Sequence, residues 1–214
     1  MGIPVMILGE SGSGKTTSLR NFNPDDVVLI QAVNKPLPFR NTFNPWHPQQ
    51  KTGSIVVTDN SQRICEAIRA FPNYGKKIII VDDYQYTMAN EYMRRSAETG
   101  YTKFTEIARH AWDIAMAAQA APSDVRIYLL SHVNTDEQGR IKAKTIGKML
   151  DEKITLEGLF TIVMRAIRVD KTYLFTTQNS GNDTVKTPME LFNTETIDND
   201  LSAVDQSIKQ YYNI

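Results

Sequence analysis

Short apolar runs alternate with amphipathic stretches along this chain. Ile3-Pro4-Val5-Met6-Ile7-Leu8, Val27-Val28-Leu29-Ile30, Ser54-Ile55-Val56-Val57-Thr58 and Val125-Arg126-Ile127-Tyr128-Leu129-Leu130 read as strands. Lys77-Ile78-Ile79-Ile80-Val81 reads as a strand buried on both faces, and it ends in Asp82-Asp83. Between these runs the period changes. Residues 61–71 place Ile64, Ile68 and Phe71 on one helical face, with Ser61 as the expected cap. Residues 104–120 carry Ile107, Ala111, Ile114, Ala115 and Ala118 as an apolar stripe that stops before Pro122. Residues 159–169 and 172–177 predict two further strands around a tight turn at Asp170 and Lys171. Alternation of this kind predicts an α/β fold in which helices cover a mainly parallel sheet on both faces.

The strongest chemical signal follows the first strand. Gly9-Glu10-Ser11-Gly12-Ser13-Gly14-Lys15-Thr16-Thr17 is a complete G-x-x-x-x-G-K-[ST] loop between an apolar run and a helix expected to start at Thr16. Gly9, Gly12 and Gly14 are expected to take backbone conformations closed to other residues, so that successive N–H groups wrap a β-phosphate. Lys15 would reach the β- and γ-phosphates, and the Thr16 hydroxyl would ligate Mg²⁺. A helix starting there would add its N-terminal partial charge. About 65 residues further on, Asp82 would join the metal shell, and Asp83 would orient the attacking water or take its proton.

Composition narrows the class. The chain has 214 residues, enough for one substantial core, and 24 basic residues against 24 acidic ones. That balance gives no global field towards nucleic acid or membrane, so any DNA contact needs a local patch. The single Cys65 excludes an internal disulfide framework. With no apolar stretch of membrane-spanning length and no signal peptide before the first strand, a cytoplasmic location is expected.

The phosphate loop, the run from Ile78 to Asp83, and Tyr128-Leu129-Leu130-Ser131-His132 at the end of the fifth strand together resemble the RecA-like, AAA-type nucleotide-binding proteins of tailed bacteriophages. The likeness covers about residues 1–190, leaving residues 191–214 as an acidic segment and a C-terminal helix. It implies a RecA-like P-loop ATPase using ATP and Mg²⁺, active on single-stranded DNA in recombination, annealing or replication. A homo-oligomer and a phage annealing or single-strand-binding partner are also implied. His132 falls where a polar sensor would face the γ-phosphate. One departure stands out: RecA-like enzymes usually carry a catalytic glutamate at the end of the second strand, where this chain runs Leu29-Ile30-Gln31-Ala32-Val33-Asn34 without a carboxylate. Asp83 or Asp59 takes that role, or hydrolysis is slow.

Arg140, Lys142, Lys144 and Lys148 lie in an acid-free stretch after the fifth strand. They form a solvated basic hairpin, a DNA-binding loop, or a pair of lysine fingers reaching a neighbouring subunit's nucleotide. The aromatic and basic stretch from Tyr84 to Arg95 suits base stacking or core packing, and the proline-rich residues 34–50 read as an ordered loop or flap. A regulatory or loading module that uses ATP as a switch, with little DNA affinity, is the alternative function.

Overall fold

A computed structural model describes residues 1–40 and 42–214, with Asp151 described as backbone only. The strands are β1 (Ile3–Leu8), β2 (Val27–Gln31), β3 (Ile55–Val57), β4 (Ile78–Asp82), β5 (Arg126–Ser131), β6 (Val133–Thr135), β7 (Ile141–Ala143), β8 (Ile162–Val169), β9 (Thr172–Thr176) and β10 (Thr196–Asp198). The α-helices are α1 (Ser61–Ala70), α2 (Gln85–Arg94), α3 (Thr102–Gln119) and α4 (Leu201–Tyr212).

Eight strands form one sheet in the order β10-β9-β8-β1-β5-β4-β2-β3, while β6 and β7 make a separate hairpin. The strands from β8 across to β3 are parallel, and β9 and β10 extend the other side antiparallel. The phosphate loop leaves β1, and β5 lies between β1 and the Asp82 strand. This is an α/β architecture built on a mainly parallel sheet.

Alternation along each strand splits the core in two. Met6, Leu8, Val28, Ile30, Ile79, Val81, Ile127 and Leu129 face α1 and α3. Val5, Ile7, Val27, Leu29, Ile78, Ile80, Tyr128 and Leu130 face the other way, towards Leu201, Val204 and Ile208 of α4. Helices therefore cover both faces. The alanine stripe of α3 lets that helix approach closely, so enlarging Ala111 or Ala115 costs about 1–3 kcal/mol through overpacking.

Several local expectations are corrected. The cap of α1 is Asn60, whose side chain accepts from the Arg63 amide at 3.0 Å, so Ser61 is already helical. Residues 16–21 form a short 3-10 turn (Thr16–Asn21), which supplies far less aligned dipole than an α-helix. The strand near residue 55 lies at the sheet edge beside β2. Chain order alone does not reveal that. The proline-rich loop after β2 is anchored by buried Phe43 and by Trp46, whose ring meets Phe71 edge-on with centroids 4.8 Å apart.

Candidate nucleotide site

Parallel strands deliver their carboxyl ends to one edge of the sheet, where ligands of such folds bind. Here the Gly9 amide donates to the Ser131 carbonyl at 3.2 Å, tying the loop to the end of β5. The Tyr84 amide donates to the Leu130 carbonyl at 2.8 Å, which brings the end of β4 alongside. Residues distant in sequence thus line one cleft of about 500 Å³, among them Gly14, Lys15, Thr16, Lys35, Asp83 and His132.

The loop glycines serve two purposes. Gly12 and Gly14 have φ of +77° and +95°, the left-handed region that favours glycine. Gly9 is not in that region. It is needed for space instead, because a Cβ there would lie 2.8 Å from the Ala166 carbonyl oxygen and 2.5 Å from Ser13 Oγ. Lys15 Nζ donates to the carbonyls of Gly9 and Glu10 at 2.7 and 2.8 Å. Burial pushes its ammonium down to about 8, although Asp83 and Asp82 work the other way.

The Thr16 hydroxyl lies 3.1 and 3.0 Å from the two carboxylate oxygens of Asp82. Asp82 is buried, and burial followed by the neighbouring Asp83 charge pushes its carboxyl up to about 6. A divalent cation between Thr16 and Asp82 would relieve that cost. Among the described residues no group of three or more His, Cys, Asp or Glu side chains converges on a metal position.

Asp83 sits one residue beyond β4 with φ +60°, unusual for a non-glycine residue. Burial works to raise its carboxyl, but the His132 ring and Lys35 outweigh it and hold it below the usual range. His132 Nε2 lies 3.6 Å from Asp83 Oδ1, while Lys35 Nζ donates directly to Asp83 Oδ2. The His132 backbone amide donates to Gln85 Oε1 at 3.1 Å, and Tyr86 packs edge-on against the imidazole. Asp59, the other acid considered for catalysis, is engaged by Arg94 at 2.6 Å and Asn90 at 2.8 Å, and it does not line the cleft.

No family model matches this chain, and no curated protein matches it either. Among solved structures, it is similar to the KaiC-like protein PH0186 of the hyperthermophilic archaeon Pyrococcus horikoshii OT3. The identity is 12%, the match covers 88% of this chain and 80% of that one, and the TM-score is 0.48.

The four basic residues after β5 do not enter the cleft. Lys142 lies in β7 opposite Asn134 and Lys144 directly follows the strand, with the Lys144 amide donating to the His132 carbonyl at 2.8 Å. Arg140 faces Asp136 at 3.9 Å, and Lys148 faces Glu152 at 3.9 Å. The aromatic stretch divides. Tyr84 and Met88 are core residues, with the Tyr84 hydroxyl donating to the Ala111 carbonyl at 2.6 Å, whereas Tyr86, Met93 and Tyr101 are exposed.

Lys35 was missed by sequence reading. It lies in an irregular segment with no motif, and its partner Asp83 is 48 positions away. The only signal was its place just after the second strand, at the sheet edge where ligands gather.

Proposed function

We propose that this chain binds ATP with Mg²⁺ at the carboxyl ends of β1, β4 and β5, hydrolyses it, and couples the cycle to single-stranded DNA. The observation that carries the nucleotide reading is the Thr16 hydroxyl set on buried Asp82 at the mouth of a glycine-rich loop whose lysine is also buried. Such a buried acid next to a second carboxylate has a natural partner in a cation. Bound Mg²⁺ would supply neutralisation of phosphate charge. The loop amides and Lys15 would hold the β- and γ-phosphates, and Thr16 and Asp82 would hold the metal. Asp83 would orient water or accept its proton, with His132 beside it as a polar sensor.

Coupling to DNA is supported by placement. The hairpin bearing Arg140, Lys142 and Lys144 leaves β5 directly after His132, so a change at the γ-phosphate has one residue to cross. Placement of Lys142 in β7 and of Lys144 directly after it equally suits contact with a second subunit's nucleotide. One observation favours the switch-module alternative: carboxylates face both Arg140 and Lys148, which weakens the basic patch.

Mg²⁺-dependent ATP hydrolysis with and without single-stranded DNA, across a salt series, separates these readings. The proposal expects DNA to stimulate hydrolysis, with the effect declining as salt rises. Nucleotide binding with no DNA binding or stimulation would sink the DNA role and leave the switch module. Loss of DNA affinity in Lys142→Ala, Lys144→Ala indicates DNA contact, whereas loss of turnover alone indicates a trans-acting role.

A further inference from the structure

We infer that Lys35 is a second cation of the γ-phosphate site, exchanging its carboxylate partner Asp83 for the terminal phosphate of a bound nucleoside triphosphate. This rests on the nucleotide reading above and adds a residue that the phosphate-loop motif does not contain.

Three observations converge on it. First, Lys35 lines the same cleft as Lys15, Thr16 and Thr17, and its ammonium already contacts Asp83 there. Its side chain is 42% exposed while that of Asp83 is 4% exposed, so the cation covers the acid from the open side of the cleft. Secondly, the Lys35 backbone is held in place. The buried Gln31 side chain, at the end of β2, donates from Nε2 to the Lys35 carbonyl at 3.0 Å. Pro36 follows and restricts Lys35 to extended backbone. Thirdly, the lysine stem is long and flexible and its charge compact, so the head group can change partners without moving the backbone.

The exchange has a consequence for Asp83. In the structure Lys35 contacts Asp83 Oδ2 and His132 stands near Oδ1. A γ-phosphate offers Lys35 a more highly charged partner, and the Asp83 oxygen it leaves becomes accessible to water only when a triphosphate is present. Gln31 gains a role as well. At this strand end, which lacks a carboxylate, an amide donor is what the Lys35 carbonyl requires, and a carboxylate at Gln31 would set acceptor against acceptor. Gln31 is thus a positioning residue acting through Lys35.

The test compares equilibrium binding of a non-hydrolysable ATP analogue and of ADP, each with Mg²⁺, to wild type, Lys35→Gln, Lys35→Arg and Gln31→Glu. Lys35→Gln is expected to lose roughly tenfold or more in affinity for the ATP analogue while its ADP affinity stays unchanged, since a charge-assisted contact to the γ-phosphate is removed. Lys35→Arg should restore part of the difference, and Gln31→Glu should lower the ATP-to-ADP preference in the same direction by a smaller factor. An unchanged ATP-to-ADP ratio in Lys35→Gln, or an equal loss for both nucleotides, overturns the inference and leaves Lys35 as a neutraliser of Asp83. Failure of the wild type to bind either nucleotide overturns the nucleotide reading itself, and this inference with it.

Discussion

Strand β5 carries an ionic cluster at each end, and the two are built on opposite principles. At its start, Arg126 forks onto Asp205 of α4, with Nε to Oδ1 and an Nη to Oδ2 both at 2.9 Å. The Tyr128 hydroxyl adds a bond to Asp205 Oδ1 at 2.7 Å, and the other Nη of Arg126 reaches the Asp124 carbonyl at 2.7 Å. Both charged side chains are almost fully enclosed. Each polar group has a fixed partner, and the cluster docks α4 on the sheet. At the far end, His132, Asp83, Lys35 and Lys15 bring similar chemical groups together, but in an open cleft, with Asp82 buried behind Thr16. There Asp82 has a hydroxyl for a partner, Lys15 bonds its own loop, and Lys35 approaches from solvent. Closed, bidentate pairing is a structural joint; open pairing between a flexible cation and a buried acid leaves room for exchange.

Four variants break or sharpen this comparison. Asp83→Asn should lower turnover about 10²–10⁴-fold while ATP binding persists, measured by steady-state hydrolysis beside equilibrium binding. Unchanged turnover would remove Asp83 from the chemistry. At the other end, Asp205→Ala should destabilise the fold by about 3–5 kcal/mol, because Arg126 is left buried without its counter-ion. Urea denaturation reads that loss, and the folded fraction should bind nucleotide as the wild type does.

Asp82→Asn sets stability against function. The folded protein holds the Asp82 proton more tightly than an ordinary carboxylate near 3.8 does, so folding stability falls as pH rises from about 4 through about 6. Above that window the charged form is a net cost. Asp82→Asn should therefore stabilise the metal-free protein by about 1–3 kcal/mol at pH 7.5 and weaken Mg²⁺-dependent nucleotide binding. A loss of stability at that pH would contradict the cleft being a site of uncompensated charge. The smallest effect is expected from Lys142→Ala, Lys144→Ala, which should flatten the salt dependence of single-stranded DNA binding by about one unit of slope for each lysine that no longer meets a phosphate.

What sequence reading recovered follows from how local each feature is. The glycine-rich loop is contiguous, and each strand around it carries its own apolar signature, so the place of Gly9 to Thr17 after β1, that of Asp82 at the end of β4, and most strands were legible. β10 was not. Its Thr196-Ile197-Asp198 lies in an acidic stretch and becomes a strand only by pairing with β9. The same holds for the two ionic clusters, whose partners are 48 and 79 positions apart. Asp205 looked like one more acid in an acidic tail, and Lys35 like one residue of an irregular loop. Gln31 was legible only as one residue of a strand end without a carboxylate, and its meaning depended on the Lys35 carbonyl that the fold sets against it.

The most direct test of the open-cleft account is calorimetric titration of wild type and Lys15→Ala with Mg²⁺ and a non-hydrolysable ATP analogue. One site per chain, lost in Lys15→Ala with the fold intact, is the predicted result. Equal binding by both proteins, or none by the wild type, would contradict it.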